Sequence, residues 1–393
     1  MKTENEFLKR LDPTILFIIF LFAILSIVFI HSSQQTGQYG NDNFALKQGI
    51  NYLIGFFLLF FMAYLDPDQI QKLGWHLYII GFLSIIILAL PLPDSIAHPI
   101  LGAKRWYQIP FLGSIQPSEF FKIPLLIVTA NIAVKHNLTY LKRTMLSDLM
   151  LVGKIMLVTI PPSLFVYQQP DTGMVFLYLA SVSSIIFLSG INKKLIVTII
   201  IVPSILVSGL VYIYFQHPDI LFKDLIPMLK PHQQERVIGW LKPDQNPNQG
   251  YQTKKAILAV GSGELQGKGI GHGDVYIPEK HTDFIFATVA EEGGFVTASL
   301  VICLFFLLMY RLIIIGDKTS DPFGTYFCIG IVAELSLQIF QNIGMMVGVM
   351  PVKGISLPFL TYGGSSLFSN MLLFGVALSI HKMYGKYMFE MKN

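Results

Sequence analysis

The sequence predicts an all-α polytopic membrane protein, and three observations carry that prediction. Apolar runs of roughly 20 residues recur along the whole chain between short polar breaks, which is the length a helix needs to cross ~30 Å of hydrocarbon. Hydrophobic residues occupy 53% and charged residues 13% of the 393 positions, and the mean hydropathy is +0.58, too apolar and too poor in charge for a soluble domain of this size. Lys and Arg are shared unequally between alternate connections. Only helices and closed barrels satisfy their backbone groups in lipid, and a barrel would read as alternating segments of ~10 residues rather than unbroken runs.

Ten spans are expected, near residues 14–31, 48–65, 76–92, 118–135, 148–167, 172–190, 194–215, 283–314, 323–349 and 363–384. The first follows Lys9 and Arg10 and resembles a signal peptide in isolation. It runs into His31-Ser32-Ser33-Gln34-Gln35 with no small-residue cleavage site, so it is read as a retained helix. An even number of spans puts both termini on one side. With that side cytoplasmic, its segments hold fourteen Lys and Arg, and the short connections opposite hold four, Lys47, Lys104, Arg105 and Lys353. This bias is the one expected of cytoplasmic loops. The whole chain, 1–393, reads as one membrane domain.

Residues 216–282 form a single long extracellular connection between the seventh and eighth spans, far longer than ordinary loops and therefore expected to carry function. Its first half, 217–241, mixes Leu, Ile and Phe with charges, which suits either an amphipathic helix on the membrane surface or a helix packed over the bundle. Its second half holds Gly261, Gly263, Gly267, Gly269, Gly271 and Gly273, without the strand and helix that a nucleotide fingerprint requires. These glycines are expected to shape a loop around something outside. No internal repeat is evident, which argues against an inverted-repeat transporter. Cys303 and Cys328 lie in apolar runs and support neither a disulfide nor a zinc site. The net charge of +4 gives no case for nucleic acid.

Polar groups at membrane depth are costly and mark functional hypotheses. Asp283 stands where the long loop enters the eighth span, beside Phe284 and Phe286, where desolvation would raise a carboxylate toward the range of a general base. Thr282 or Asp283 could equally cap the helix. Glu291 and Glu292 lie two turns further in and need partners. Lys104 and Arg105, next to Trp106, could hold a diphosphate or simply anchor on lipid phosphate. Glu119 and Lys122, spaced i, i+3, can pair on one face, as mutual neutralisation or as the floor of a polar cavity. The segment 348–366, with Lys353, Pro351, Pro358 and Gly363-Gly364-Ser365-Ser366, reads as irregular backbone facing a cavity or as a rigid connector. Asp171 fits a cap for the sixth span. All these groups fall on the extracellular side, which favours a surface site over a full-depth pore.

Four signatures in order resemble the SEDS family (shape, elongation, division and sporulation) over nearly the whole chain: residues 102–106 with Gln116-Pro117-Ser118-Glu119-Phe120-x-Lys122; Gln169-Pro170-Asp171-x-Gly173; Pro278-Glu279-x-His281-Thr282-Asp283-Phe284-Ile285-Phe286-Ala287; and Lys353-Gly354 through Leu357-Pro358-Phe359 to Tyr362-Gly363-Gly364-Ser365-Ser366. The third and fourth are highly specific. The resemblance implies a peptidoglycan glycosyltransferase acting on lipid II and on glycan linked to undecaprenyl diphosphate, in the bacterial cytoplasmic membrane with its site facing outside, beside a class B penicillin-binding protein. It carries the required aspartate to Asp283, the charged fourth-span pair to Glu119 and Lys122, and the basic loop residue to Arg105. Lys104, Trp106, Lys353, Ser365 and Ser366 join them as candidate substrate contacts. The cofactor is open: a divalent cation, magnesium or manganese, is considered, although the sequence holds no metal site. The context of Asp283 looks more like the elongation branch, RodA, than the division branch, FtsW. The alternatives are a lipid II flippase, a division-type member and a non-catalytic scaffold.

Overall fold

The computed structural model describes residues 11–35, 42–90, 93, 96–97, 104–109, 113–245 and 249–390. Among these, nine helices are long and apolar enough to cross a membrane, and the chain is a multi-pass membrane protein. In chain order they are α1 (Pro13–Gln34), α2 (Phe44–Tyr64), α3 (Pro67–Ala89), α4 (Pro117–Thr139), α5 (Met145–Gln168), α7 (Lys193–Gln216), α10 (Ile285–Lys318), α11 (Pro322–Met346) and α12 (Gly364–Glu390). The expected sixth span is α6, Thr172–Leu188, apolar but seventeen residues long. At 1.5 Å per residue it reaches about 25 Å, a little short of the hydrocarbon core.

Local chemistry sets the helix ends. Asp12 precedes Pro13 and accepts from the amides of Thr14 (2.9 Å) and Ile15 (3.1 Å), satisfying donors that have no intrahelical partner. Asp171 does the same for α6 through Met174 N (3.3 Å), as its position suggested. The same Asp12 pairs with Arg311 near the end of α10 and lies 3.9 Å from His381 of α12. The beginning of α1 and the last turns of α12 therefore share one end of the bundle, here the terminal end. The other, the loop end, carries the long connection.

Two hydrophobic clusters meet on α4. Ile123, Leu126, Ile127 and Ala130 pack with α1, α2, α10, α11 and α12, whereas Phe121, Leu125 and Val128 pack with α3, α5 and α6. Burying opposite faces of one helix makes α4 the spine of the fold, and charges on it are sealed from lipid. By contrast, α7 buries none of its residues.

The long connection holds two short helices, α8 (Pro231–Leu241) and α9 (Gln249–Ser262). α8 is pinned to the bundle by Trp240 Nε1, which donates to Gly348 O (2.9 Å). A small antiparallel hairpin, β1 (Tyr107–Ile109) with β2 (Gly113–Ile115), lies at the same end.

The expected eighth span differs in a way that matters. α10 is interrupted at Gly294, whose φ of 66° is left-handed, so residues 285–293 form a separate segment and 295–318 remain to cross. A Cβ at Gly294 would also collide with the backbone of Gln266 and Gly267. The glycine-rich loop thus packs on this break rather than around an external object. Glu291 accepts from the amides of Asp274 and Val275 (both 2.9 Å) and pairs with Lys268 (2.9 Å) and Lys280 (2.8 Å). Glu292 accepts from Ser32 Oγ (2.6 Å) and Gly271 N (3.2 Å). The loop closes on its own chain because two buried carboxylates need donors, and glycines let backbone amides approach them.

Candidate active site

Asp283 lies in the turn 279–284 just before α10. The cap alternative does not hold: α10 begins after Phe284 with no side-chain cap, and Thr282 Oγ1 donates instead to Glu279 O (3.0 Å). Three anchors hold the turn. Lys280, fully buried, reaches Glu291. His281 O accepts from Tyr362 N (3.1 Å), while its ring stacks on Phe44 at 4.4 Å between centroids. Burial pushes the His281 ring down to about 4, so it is a neutral wedge at physiological pH. Asp283 O accepts from Asn342 Nδ2 (2.9 Å), an amide that also donates to Ile355 O (2.9 Å).

The Asp283 carboxyl is half-buried and points over Gly354, where an added Cβ would stand 3.1 Å from Oδ2. Burial pushes this carboxyl up to about 6; Arg236 and Arg105 oppose the rise and Glu279 reinforces it. The Arg236 guanidinium, on α8, is itself held down by burial and by Arg105, and feels both Asp283 and Asp171. Lys353 is also lowered, by burial and then by Arg236, and its ammonium sits 4.0 Å from the centre of the Phe176 ring. Two arginines thus act on a carboxylate that lies over the exposed Gly354, with Lys353 next to that glycine in the chain.

Arg105 is aimed by backbone: Nε donates to Gln169 O (2.8 Å) and Nη2 to Pro170 O (2.6 Å), and the guanidinium lies 5.8 Å from the Trp106 ring centre. Lys104 is half-buried beside it. The same turn carries Asp171, which accepts from Gln116 Nε2 (2.7 Å). The first, second and third signatures and the Lys353-Gly354 limb of the fourth therefore converge at one place.

Other expected residues serve elsewhere. Lys122 sits in the middle of the bundle between Glu119 (3.1 Å) and Glu334 (2.8 Å), with Asn370 Oδ1 at 3.1 Å. The expected Glu119–Lys122 pair is present, and an acid on α11 joins it, so one ammonium faces two carboxylates. Ser365 accepts from Gln116 N (3.0 Å) and donates to Ser114 O (3.2 Å); Ser366 shares a hydrogen bond with Ser356 (2.7 Å). Both hydroxyls knit the loop end together. Glu119, Lys122, Glu291 and Glu292, charges that could line a polar path for transport, are all engaged with protein partners.

A model of the FtsW/RodA/SpoVE family, cell cycle proteins, matches residues 12–385. The chain belongs to this family. The peptidoglycan glycosyltransferase MrdB of Escherichia coli is 31% identical over 380 residues, covering 95% of this chain and 94% of its own. The probable peptidoglycan glycosyltransferase FtsW of Nitrosomonas europaea is 33% identical over 310 residues, 77% of this chain and 74% of the relative. Among solved structures, the fold is similar to a chain from a peptidoglycan synthase complex that coordinates polymerization and crosslinking (TM-score 0.74, 24% identity, 95% of this chain and 98% of that one). It is also similar to the rod shape determining protein RodA of Thermus thermophilus (TM-score 0.65, 23% identity, 94% and 96%). The resemblance drawn from the four signatures is thereby borne out.

Three residues that build the candidate site went unnoticed in the sequence, Arg236, Asn342 and Lys280, as did Glu334 of the central cluster. Glu334 carried a usable signal, since an acid inside an apolar span needs a partner and Lys122 was the available cation. Arg236 lay in the long loop, where basic residues say nothing about topology.

Proposed function

We propose that this chain is a peptidoglycan glycosyltransferase that polymerises lipid II on the outer face of the bacterial cytoplasmic membrane, with Asp283 as its general base. The observation that carries the reading is the half-buried Asp283 carboxyl over Gly354, with Arg236 and Arg105 acting on it and Lys353 beside that glycine in the chain. A base with its pKa near 6 is mostly ionised at neutral pH and still basic enough to take a hydroxyl proton.

In the reaction, the 4-hydroxyl oxygen of the terminal N-acetylglucosamine of one lipid II attacks the anomeric carbon of the lipid-linked glycan. Its proton passes to Asp283. The bond between the anomeric carbon and the diphosphate oxygen breaks, and undecaprenyl diphosphate leaves with the electron pair. Arg236, Arg105 and Lys353 stabilise the negative charge that grows on the diphosphate, and Lys104 and Trp106 border its path. Among the described residues no group of three or more His, Cys, Asp or Glu side chains could hold a metal ion. A divalent cation, magnesium or manganese, would supply further neutralisation of the diphosphate charge beside Arg236 and Arg105. A class B penicillin-binding protein supplies the crosslinking step, and the role belongs to cell elongation.

The test is polymerisation of purified lipid II by the protein with its inactive penicillin-binding partner, comparing wild type with Asp283→Asn. Glycan strands from wild type, with a loss of at least ~100-fold in the variant, are expected of a missing general base. Equal strands from both would overturn the role of Asp283, and none from wild type, with transport of lipid II across sealed vesicles, would replace the transferase by a flippase.

A further inference from the structure

We infer that Asn342 is the positioning residue for Asp283, a single buried amide that fixes the carboxylate over Gly354 by holding the two chain segments on either side of it. The inference rests on Asp283 being the general base.

Asn342 sits in the last turns of α11 and is fully buried. Its Nδ2 donates at 2.9 Å to two carbonyls, Asp283 O and Ile355 O, which belong to segments far apart in the chain. The orientation of the amide follows from its partners: both are acceptors, so only the nitrogen can face them. Next to it, Gln341 Nε2 donates to Pro351 O (2.9 Å), so consecutive amides of α11 pin both ends of the 351–355 strip. The helix end supplies the geometry. Gly348 is left-handed (φ 77°), and the amides of Val349 and Met350 fold back on Gly344 O (2.8 and 3.1 Å), turning the chain so that Lys353 and Gly354 return over Asp283.

Each carbonyl would lose a donor if the amide were removed, and neither has a helical or sheet partner to replace it. The turn 279–284 and the strip 351–355 would then part, with Gly354 moving off Oδ2. Misplacement by ~1 Å can cost about 100-fold in rate while leaving substrate binding intact. The carboxylate would also gain water. The groups that face it are Arg236 from α8, Arg105 from the 104–106 segment and Glu279 from its own turn, and burial is the largest influence on it. Easing that burial lets its pKa fall toward the ordinary carboxylate value, which moves the acid limb of activity to lower pH.

The experiment measures lipid II polymerisation against pH for wild type, Asn342→Leu and Gly354→Ala, each in complex with the inactive penicillin-binding partner and checked for monodispersity in detergent. Asn342→Leu is expected to lower kcat by about 10- to 100-fold with KM within about twofold, and to displace the acid limb of kcat/KM downward. A folded Asn342→Leu with wild-type kcat and an unmoved acid limb overturns the inference. If Asn342→Leu does not fold, Gly354→Ala decides: its Cβ presses on Oδ2 from the other side, so unchanged kcat and acid limb there overturn the inference equally. Inactive wild type, or an active Asp283→Asn, would overturn the general-base reading itself and is distinguished by those two controls.

Discussion

Two charge clusters in this bundle differ in their surroundings. At the centre, Lys122 is fully buried between Glu119 and Glu334, on a helix packed over both faces, and Asn370 and Ser369 complete its shell. At the loop end, Asp283 is half-buried, has an exposed glycine beneath its carboxylate, and is influenced by cations from two separate segments, Arg236 of α8 and Arg105. The central cluster is closed on itself, with one ammonium held between two carboxylates. The loop-end cluster brings Arg236 and Arg105 to bear on a carboxylate whose side toward Gly354 is open, so it can still meet a substrate. Charges at membrane depth are hypotheses of function, and it is the state of their partners that sorts stability from chemistry.

The sharpest way to break this contrast is to remove the central cation. Lys122→Met leaves Glu119 and Glu334 buried without a counter-charge and should destabilise the bundle by about 3–5 kcal/mol, the cost of stranding a buried charge. Thermal unfolding in detergent reads it. The triple neutral variant Glu119→Gln, Lys122→Met, Glu334→Gln should recover much of that loss, because the isolated charges are gone. A stable Lys122→Met protein that no longer polymerises would move Lys122 from the fold to the site.

The acid limb comes next in size. Asp283 must be ionised to accept a proton, and burial holds it at about 6, above an ordinary carboxylate. The base form is therefore present above that value and lost below it, so kcat/KM should fall about tenfold per pH unit on the acid side of 6. Arg236→Ala removes the largest opposing charge; the carboxyl then rises further and the limb moves to higher pH. A limb that stays in place in this variant would mean that Arg236 does not act on the base.

How much of this was legible beforehand follows from the range of the forces involved. Apolar runs and the Lys/Arg bias depend on lipid alone, so the spans and the common side of the termini could be read from the chain. Asp171 as a cap is likewise local, since its partner Met174 is three residues away. What could not be read depends on contacts between distant segments. The glycine loop was expected to enclose an outside partner, yet it encloses Glu291 and Glu292 because α10 breaks at Gly294, and nothing short-range distinguishes a broken helix from a continuous one there. Glu334 completes Lys122 across 212 residues of sequence, and Asn342 meets Asp283 across 59. The serines Ser365 and Ser366 looked available only because their partners Gln116, Ser114 and Ser356 were invisible.

Those serines offer the gentlest test of the same contrast. Ser366→Ala deletes one hydroxyl-to-hydroxyl bond with Ser356 at a half-buried position. A bond of this kind contributes about 0.5–1.5 kcal/mol net, and its loss is partly offset where water can reach the remaining partner. The variant should therefore unfold slightly earlier and polymerise lipid II with kcat and KM close to wild type. A serine that bound the sugar or diphosphate would behave in the opposite way, leaving unfolding unmoved and raising KM, because its hydrogen bond would be made to substrate rather than to Ser356. Steady-state kinetics and a melting curve on this one variant therefore separate a residue that shapes the loop end from one that belongs to the site around Asp283.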